Sequence, residues 1–273
     1  MDRSARQHWD RIALRWRISP PLAPAAEDLD WYQRRVVQHL RSAGSALLLG
    51  VTAGILRLRW PEDARRLSAD WSMEMLKNVW PSARETEGWS RTCADWRRLP
   101  LADGAFDLVI GDGCYSALHG LQQMSLLNRE VRRVLRPGGH MLIRTFCRPQ
   151  ERLRPADLFG DLKAGRIRNL DLFRWLLAMA VQGNSPNGVS LREVWETWSG
   201  QVPDPRALQG RLGWSEDALL NMERWANSEM TYSFPSLREL RAIAAPGFSV
   251  EACERPTYEW GALFPRLALR ALP

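Results

Sequence analysis

Short apolar runs alternate with amphipathic stretches between residues 45 and 146, and this alternation restricts the possible folds more than any other feature of the sequence. Residues 45–49 are apolar after Ser45 and end at Gly50, a pattern typical of a strand buried on both faces. Further strand-like runs cover residues 66–70, 89–94, 106–110 and 140–146, and helical spacing covers residues 73–79 and 121–135. The alternation predicts a parallel sheet with helices on both of its faces.

The alternation stops after Arg148-Pro149, which divides the chain into parts. Residues 150–230 have helical spacing and contain five tryptophans, whereas residues 236–245 indicate a helix and residues 248–253 and 263–272 two closing strands. We therefore predict an α/β fold: a doubly wound, Rossmann-like, seven-stranded sheet with helices on both faces and a helical cap insertion. Residues 1–43 would form an N-terminal helical lid segment, residues 44–149 and 231–273 the sheet domain, and residues 150–230 the cap.

The charge balance raises the question of a nucleic-acid partner. Lysine and arginine number 38 against 31 acidic residues, which gives a net charge of +7, and only Lys77 and Lys163 are lysines. The arginines lie in dispersed pairs, such as Arg34-Arg35 and Arg132-Arg133, rather than in one long run. Because a nucleic-acid footprint is a basic face or stripe, these dispersed pairs are weak evidence for one.

The sequence offers no pattern for a metal site or a disulfide framework. Its four cysteines and four histidines are scattered, without a C-x-x-C pair or a paired histidine spacing. The N-terminus lacks the apolar segment of a signal peptide, and no apolar run approaches the roughly 18 residues that span a bilayer. We therefore expect a cytoplasmic protein with no metal and no membrane partner.

A glycine-rich turn, residues 50–54, follows the first strand. Such a turn at the carboxyl end of a strand is the usual ligand site of doubly wound sheets, because glycine lets the backbone lie against a ligand. Asp70 follows Gly50 by 20 residues, which suits a carboxylate that accepts hydrogen bonds from a ribose. Dinucleotides and S-adenosylmethionine both fit this arrangement. Thr52 replaces the second glycine of the dinucleotide fingerprint, and Trp60-Pro61 shortens the following helix, which argues against a nicotinamide cofactor.

Five segments, in order, resemble the class I S-adenosylmethionine-dependent methyltransferases over about residues 44–147 and, loosely, 236–273. They are Leu48-Leu49-Gly50-Val51-Thr52-Ala53-Gly54, Ala69-Asp70-Trp71-Ser72-Met73-Glu74-Met75-Leu76, Cys93-Ala94-Asp95-Trp96, residues 99–109 and Arg133-Val134-Leu135-Arg136-Pro137-Gly138-Gly139. The resemblance implies a methyltransferase whose cofactor is S-adenosyl-L-methionine.

The resemblance also implies roles for individual residues. Asp70 would accept both ribose hydroxyls, and Asp95 would accept from the adenine amino group. Neighbouring residues would line these pockets or lie near the methionine part and the sulfonium: Gly50, Val51, Thr52, Gly54, Trp71, Ser72, Trp96, Gly111, Asp112 and Gly113. Leu48 departs from the family, which usually has an acid there to support the amino end of the cofactor.

The methyl acceptor stays open at this stage. Methyl transfer from a sulfonium is a direct displacement, which needs alignment and exclusion of water more than an acid–base apparatus. His119 suits a general base at neutral pH, although a solvated loop histidine is the simpler interpretation, and Tyr115 is a candidate for shaping the pocket. The tryptophan-rich cap favours an apolar, lidded pocket, so we expect transfer to O or N of a small aromatic or heterocyclic metabolite.

Two other functions and two structural questions are left open by the sequence. A nucleic-acid methyltransferase is one alternative, although residues 111–115 lack the prolines that base-methylating enzymes usually carry there. A non-catalytic S-adenosylmethionine-binding protein is the other. A monomer and a homodimer are both compatible with the sequence. Trp9, Trp16 and Tyr32 form either a lid over the cofactor or the apolar faces of helices that pack on the sheet.

Overall fold

The computed structural model describes residues 3–273. In chain order its strands are β1 (Ser45–Leu49), β2 (Arg65–Asp70), β3 (Trp89–Cys93), β4 (Phe106–Asp112), β5 (Leu135–Arg144), β6 (Val189–Ser190), β7 (Thr231–Tyr232), β8 (Phe248–Glu254) and β9 (Arg266–Ala271). Seven of them form one sheet in the order β3-β2-β1-β4-β5-β9-β8, and β6 pairs with β7 in a separate ribbon. Strands β1 to β5 run parallel, whereas β9 is antiparallel to both β5 and β8. The predicted doubly wound α/β fold is confirmed.

Helices cover both faces of the sheet. They are α1 (Arg3–Ala13), α2 (Ala26–His39), α3 (Ala53–Leu56), α4 (Met73–Asn78), α5 (Gly120–Val134), α6 (Pro155–Lys163), α7 (Leu170–Gln182), α8 (Leu191–Gln201), α9 (Pro205–Leu212), α10 (Glu216–Glu223) and α11 (Leu237–Ala244). Successive β1 side chains alternate between faces. Leu48 packs in the apolar cluster that holds α2, α3 and α4, and Leu47 in the cluster that holds α5, α11 and the α6–α10 region.

Three predicted elements begin or end elsewhere in the structure, and the first two differences have the same cause. The predicted helix through residue 135 ends at Val134, because Leu135 already pairs with Phe106 as the first residue of β5. The register between β4 and β5 then shifts, so the Pro137-Gly138-Gly139 turn becomes an irregularity inside the strand instead of a stop before it. The predicted closing strand from residue 263 begins at Arg266, because Gly261–Leu263 form a 3-10 turn.

Helix α7 is the centre of the segment between β5 and α11. Twelve of its 13 residues are buried, so it has no solvated face along most of its length. Aromatic rings of neighbouring helices surround it, with the rings of Phe173 and Trp198 at 5.8 Å and those of Trp198 and Trp214 at 6.1 Å. The charged residues Asp171 and Arg174 of this helix are therefore inside the protein.

Candidate active site

The carboxyl ends of β1, β2 and β4 open into a cavity of about 500 Å³. Its volume lies in the range of small-molecule sites. One half of its wall comes from the sheet edge, and the other half from α1, α7 and the chain around residues 221–232. Residues 17–24, which we name the strap, run along it between α1 and α2.

The glycine turn brings the backbone close to two side chains. Gly50 has φ +91°, and its N–H donates to the carbonyl of Ala69 at 2.8 Å. A Cβ at this position would lie 3.5 Å from the Trp96 ring and 3.7 Å from Oδ2 of Asp70. A side chain here would be strained because of the positive φ, although its Cβ would meet both groups at ordinary van der Waals distances.

Asp70, at the end of β2, is a buried carboxyl on the cavity wall. Its Oδ1 accepts from the N–H of Ser72 at 2.8 Å. Burial raises the pKa of Asp70 to about 7, against the lowering effect of hydrogen bonds from the backbone of Ser72 and Trp71. Hydroxyl donors from a ligand would stabilise the charged form of this carboxyl and so lower its pKa.

The two residues predicted to bind adenine, Asp95 and Trp96, lie in different environments. Trp96 lines the cavity, and its Nε1 donates to the carbonyl of Ala69 at 2.6 Å. Asp95 lies outside the lining and is held by Arg97, whose Nε donates to Oδ1 at 2.9 Å. Burial raises the pKa of Asp95, but hydrogen bonds from Arg97 outweigh it and hold the pKa at about 2.

Asp112 lies at the end of β4 and lines the cavity. It forms an ion pair with Arg144 at the end of the neighbouring strand β5. Nε of Arg144 donates to its Oδ1 at 2.6 Å, and the Arg144 side chain is fully buried. The same guanidinium donates to the carbonyls of Pro21 and Leu22, the latter at 2.7 Å, and lies 3.5 Å from Oδ2 of Asp28. Arg144 thereby fastens the strap to the sheet edge.

Further contacts hold α1 and the strap over the cavity. The hydroxyl of Ser72 donates to Asp10 at 2.6 Å, and the N–H of Ser19 donates to Asp171 at 3.0 Å. Trp9 and Trp16 line the cavity with ring centroids 5.8 Å apart. Tyr32, predicted with them as a lid or a packing residue, packs on the sheet instead: it is buried and its hydroxyl donates to the carbonyl of Gly111.

The second half of the cavity is aromatic. Trp175 and Tyr232 stack almost parallel, with centroids 5.0 Å apart and an interplanar angle of 4°. Phe146 lies 4.8 Å from Trp175, and Trp225 meets Tyr232 edge-on at 6.0 Å. Nε1 of Trp175 and Nε of Arg174 are buried without a hydrogen-bond partner, and both residues line the cavity. We name this half the aromatic chamber.

His8 is a cavity residue that the sequence analysis missed. Its ring is buried, and Nδ1 lies 3.0 Å from the hydroxyl of Ser228. Burial, with nearby Arg11, Arg174 and Arg224, lowers the pKa of His8 to about 4. The imidazole is therefore neutral at physiological pH.

The two residues offered for acid–base or shaping roles lie elsewhere. His119 precedes α5 and lines a separate surface depression with residues 117–123, 186–187 and 229–231. Tyr115 is buried with its hydroxyl bonded to Asn128, and burial raises its pKa far above the ordinary value. Among the other predicted residues, Gly50, Val51, Thr52, Gly54, Trp71 and Gly113 line the cavity, whereas Ser72 and Gly111 do not.

One histidine group could not be seen in the linear spacing. His39, His140 and Glu251, from α2, β5 and β8, place their ligand atoms within 4.8 Å of one another. The expectation of no metal used sequence spacing alone, which says nothing about residues that a sheet brings together. In residues 3–273, no helix is long and apolar enough to cross a membrane.

Comparisons with known proteins find similarity to methyltransferases. Residues 47–143 match the family described as "Methyltransferase domain". The demethylmenaquinone methyltransferase of Mycolicibacterium vanbaalenii is 29% identical over 228 residues, which cover 80% of this chain and 87% of that protein. The malonyl-[acyl-carrier protein] O-methyltransferase of Legionella pneumophila is 31% identical over 40% of this chain and 39% of its own length.

A solved structure supports the fold. The N-methyltransferase NodS of Bradyrhizobium japonicum, in complex with S-adenosyl-L-homocysteine, superposes with a TM-score of 0.54. The match covers 98% of each chain at 10% identity, so it bears on the fold alone.

Proposed function

We propose that the chain, an S-adenosylmethionine-dependent methyltransferase of class I, methylates an oxygen or nitrogen of a small aromatic or heterocyclic acceptor. The observation that carries this proposal is the aromatic chamber, which is one continuous cavity with the glycine turn and Asp70. A flat acceptor fits against walls such as the stacked pair of Trp175 and Tyr232, because aromatic surfaces prefer stacked or edge-on contacts.

The residues of the sheet edge fit the cofactor. The buried carboxyl of Asp70 would accept its ribose hydroxyls, and Trp96 would pack against the adenine, with Gly50 allowing close approach of the backbone. Asp112, in place of the missing acid at position 48, would face the charged end of the cofactor. The cofactor supplies an electrophilic methyl group on a sulfonium.

Alignment and exclusion of water are the tasks left to the chain in a direct displacement. Arg144 fixes Asp112 and the strap, and the strap, Trp9 and Trp16 cover the cavity. His8, neutral and buried in the aromatic chamber, offers a hydrogen-bonding nitrogen next to the acceptor. No acid–base step is assigned to His119 or Tyr115, since neither lines this cavity.

The relatives support an aromatic acceptor in part. Demethylmenaquinone, in the name of one relative, is a ring compound, while the malonyl group in the name of the other is not. The first relative matches twice as much of this chain, which favours a ring-bearing acceptor here.

The test combines binding and transfer. Calorimetry should show binding of S-adenosylmethionine and S-adenosylhomocysteine and no binding of NADH. Transfer of a labelled methyl group should then be measured to a panel of naphthols, aminonaphthalenes and quinolinols. We expect at least one to be methylated, and Trp175→Ala to abolish that transfer while Trp195→Ala, outside the cavity, leaves it unchanged. Transfer to non-aromatic hydroxyls or to RNA alone would overturn the proposal.

A further inference from the structure

The most unusual group in the cavity is a buried arginine. Arg174 lies in the middle of α7 and is 6% exposed. Its Nη2 lies 3.0 Å from Oδ1 of Asp171, and its guanidinium lies 5.3 Å from the centre of the Trp225 ring. Its Nε has no partner. A buried donor without an acceptor is costly, so such groups are rare unless a ligand completes them.

A second arginine adds positive charge at the same end of the cavity. Arg224 also lines it, and its Nη1 donates to Oδ1 of Asn221 at 3.4 Å. Burial and the charges of Arg15 and Arg174 lower the pKa of Arg224, which Asp217 opposes. Arginine stays protonated in proteins, so both cations persist at neutral pH.

The acidic groups around these arginines are already engaged. Asp171 accepts from the backbone and hydroxyl of Ser19 as well as facing Arg174. Asp217 lies 4.0 Å from Arg15. The carboxylates that line the cavity, Asp70 and Asp112, belong to the sheet-edge half, and Arg144 pairs with Asp112. Asp171 and Asp217 balance two of the three arginines Arg15, Arg174 and Arg224, so one positive charge is left over among these groups.

We propose that the methyl acceptor is an aromatic carboxylate whose carboxyl group Arg174 and Arg224 bind in the aromatic chamber. This inference rests on the proposed function and narrows its acceptor class. The guanidinium presents several donors in a fixed plane and matches a carboxylate geometrically. The indole N–H of Trp175, also unpartnered, supplies a further donor beside the rings.

The experiment compares two probes of nearly equal shape in the protein saturated with S-adenosylhomocysteine. They are 2-naphthoate and its neutral amide, 2-naphthamide, titrated by calorimetry and by quenching of tryptophan fluorescence. In the wild-type protein we expect naphthoate to bind about tenfold more tightly, because charged hydrogen bonds are the stronger ones. Arg174→Gln should remove this preference by weakening naphthoate about tenfold while naphthamide changes little.

Arg168→Gln is the matched control, since it removes the same charge from an exposed residue just before α7 that does not line the cavity. It should leave both affinities unchanged. Arg224→Gln, at a partly exposed residue, provides a second variant if Arg174→Gln does not fold, and it should weaken naphthoate alone.

The outcomes separate the two proposals. Equal binding of both probes by the wild-type protein, or a preference for naphthoate that survives both arginine substitutions, overturns the carboxylate site and leaves an aromatic acceptor in place. Binding of S-adenosylhomocysteine without binding of either probe overturns the aromatic acceptor and the carboxylate site together.

Discussion

Asp70 is buried on the cavity wall, and its proposed role is to accept hydrogen bonds from ligand hydroxyl groups. The carboxyl is buried in the unliganded cavity, and its pKa is raised to about 7 by that burial. In an unfolded chain the same carboxyl ionises freely near its ordinary pKa. Burial of this carboxyl therefore lowers the free energy of unfolding above the unfolded pKa. It also places a hydrogen-bond acceptor where a ligand brings hydroxyl donors.

We expect Asp70→Asn to weaken binding of S-adenosylhomocysteine by about tenfold to a hundredfold, through loss of a charged acceptor. A group whose folded pKa is raised destabilises the fold as pH rises above its unfolded pKa. The variant should therefore be more stable than the wild type by about 2–4 kcal/mol near pH 8 and no more stable near pH 4. Calorimetry and urea unfolding measure both effects. Asp103→Asn, at an exposed carboxyl, is the control, and wild-type affinity in Asp70→Asn would contradict the assignment.

The raised pKa of Asp70 also predicts pH-dependent binding. Only the ionised carboxylate accepts from two hydroxyls, so binding must release the proton that the free protein holds below about pH 7. We expect the affinity for S-adenosylhomocysteine to rise about tenfold from about pH 6 to pH 8. Calorimetry in buffers of different ionisation enthalpy counts the released proton. A flat affinity in the wild type would show that Asp70 is ionised before the ligand arrives.

At the residue scale, the sequence predicted which side chains share the cavity where their position follows from local spacing. Gly50, Asp70 and Trp96 follow from short spacings around strands, and all three line the cavity. Asp95 has the same kind of support, yet Arg97 two residues later holds its carboxylate. Arg174 carried a usable signal, because a single arginine in the apolar run of α7 indicates a buried charge. Which residues face Arg174 across the aromatic chamber depends on long-range packing, and the spacing of residues along the sequence does not show it.

At the scale of elements, the strap is held from two sides. Asn221 donates to the carbonyl of Arg17 at 2.7 Å and Asp171 accepts from Ser19, both from the segment between β5 and α11. Arg144 donates to Leu22 from β5. The elements themselves were largely predictable, since β1 to β5 follow from apolar periodicity. The strap was not, because its conformation depends on side chains more than 120 residues away.

We expect Arg144→Gln to destabilise the protein by about 3–5 kcal/mol, since removing one partner leaves Asp112 buried without its counter-charge. Urea unfolding measures the loss. Arg136→Gln, which breaks a partly exposed pair with Asp107, should cost about 1 kcal/mol or less.

Trypsin offers a second readout of the same variant under native conditions. Cleavage after Arg17 should become faster in Arg144→Gln than in Arg136→Gln, because the strap loses its attachment to β5. Equal cleavage rates would show that the contacts with Asn221 and Asp171 suffice to hold the strap.

At the scale of the whole molecule, the arginine excess has an internal use. The side chains of Arg144, Arg174 and Arg266 are nearly or fully buried, at 0%, 8% and 4% exposure. Each one faces an aspartate, and each lies over an aromatic ring. Composition alone raised the question of a nucleic-acid partner, and it could not reveal which arginines the fold buries.

Acid should destabilise the protein through His8. Its folded pKa of about 4 lies below the unfolded value, so the unfolded chain binds protons first as pH falls, and stability is lost from about pH 6.5 to 4. We expect this residue to account for about 3 kcal/mol at most. His8→Gln should remove that part of the pH dependence, measured as the difference from wild type in urea unfolding. His119→Gln should not alter it, and identical curves for all three proteins would contradict the assignment.

The strap forms a common wall of the sheet-edge half and the aromatic chamber, so we expect both ligands to exchange through movement of this one segment. Departure of the methylated product and departure of spent cofactor are then paced by a single opening event. A substitution that loosens the strap, such as Arg144→Gln, should speed both departures by the same factor. One opening rate, set by the hydrogen bonds of the strap, would then limit both release steps, although the strap contributes none of the reacting atoms.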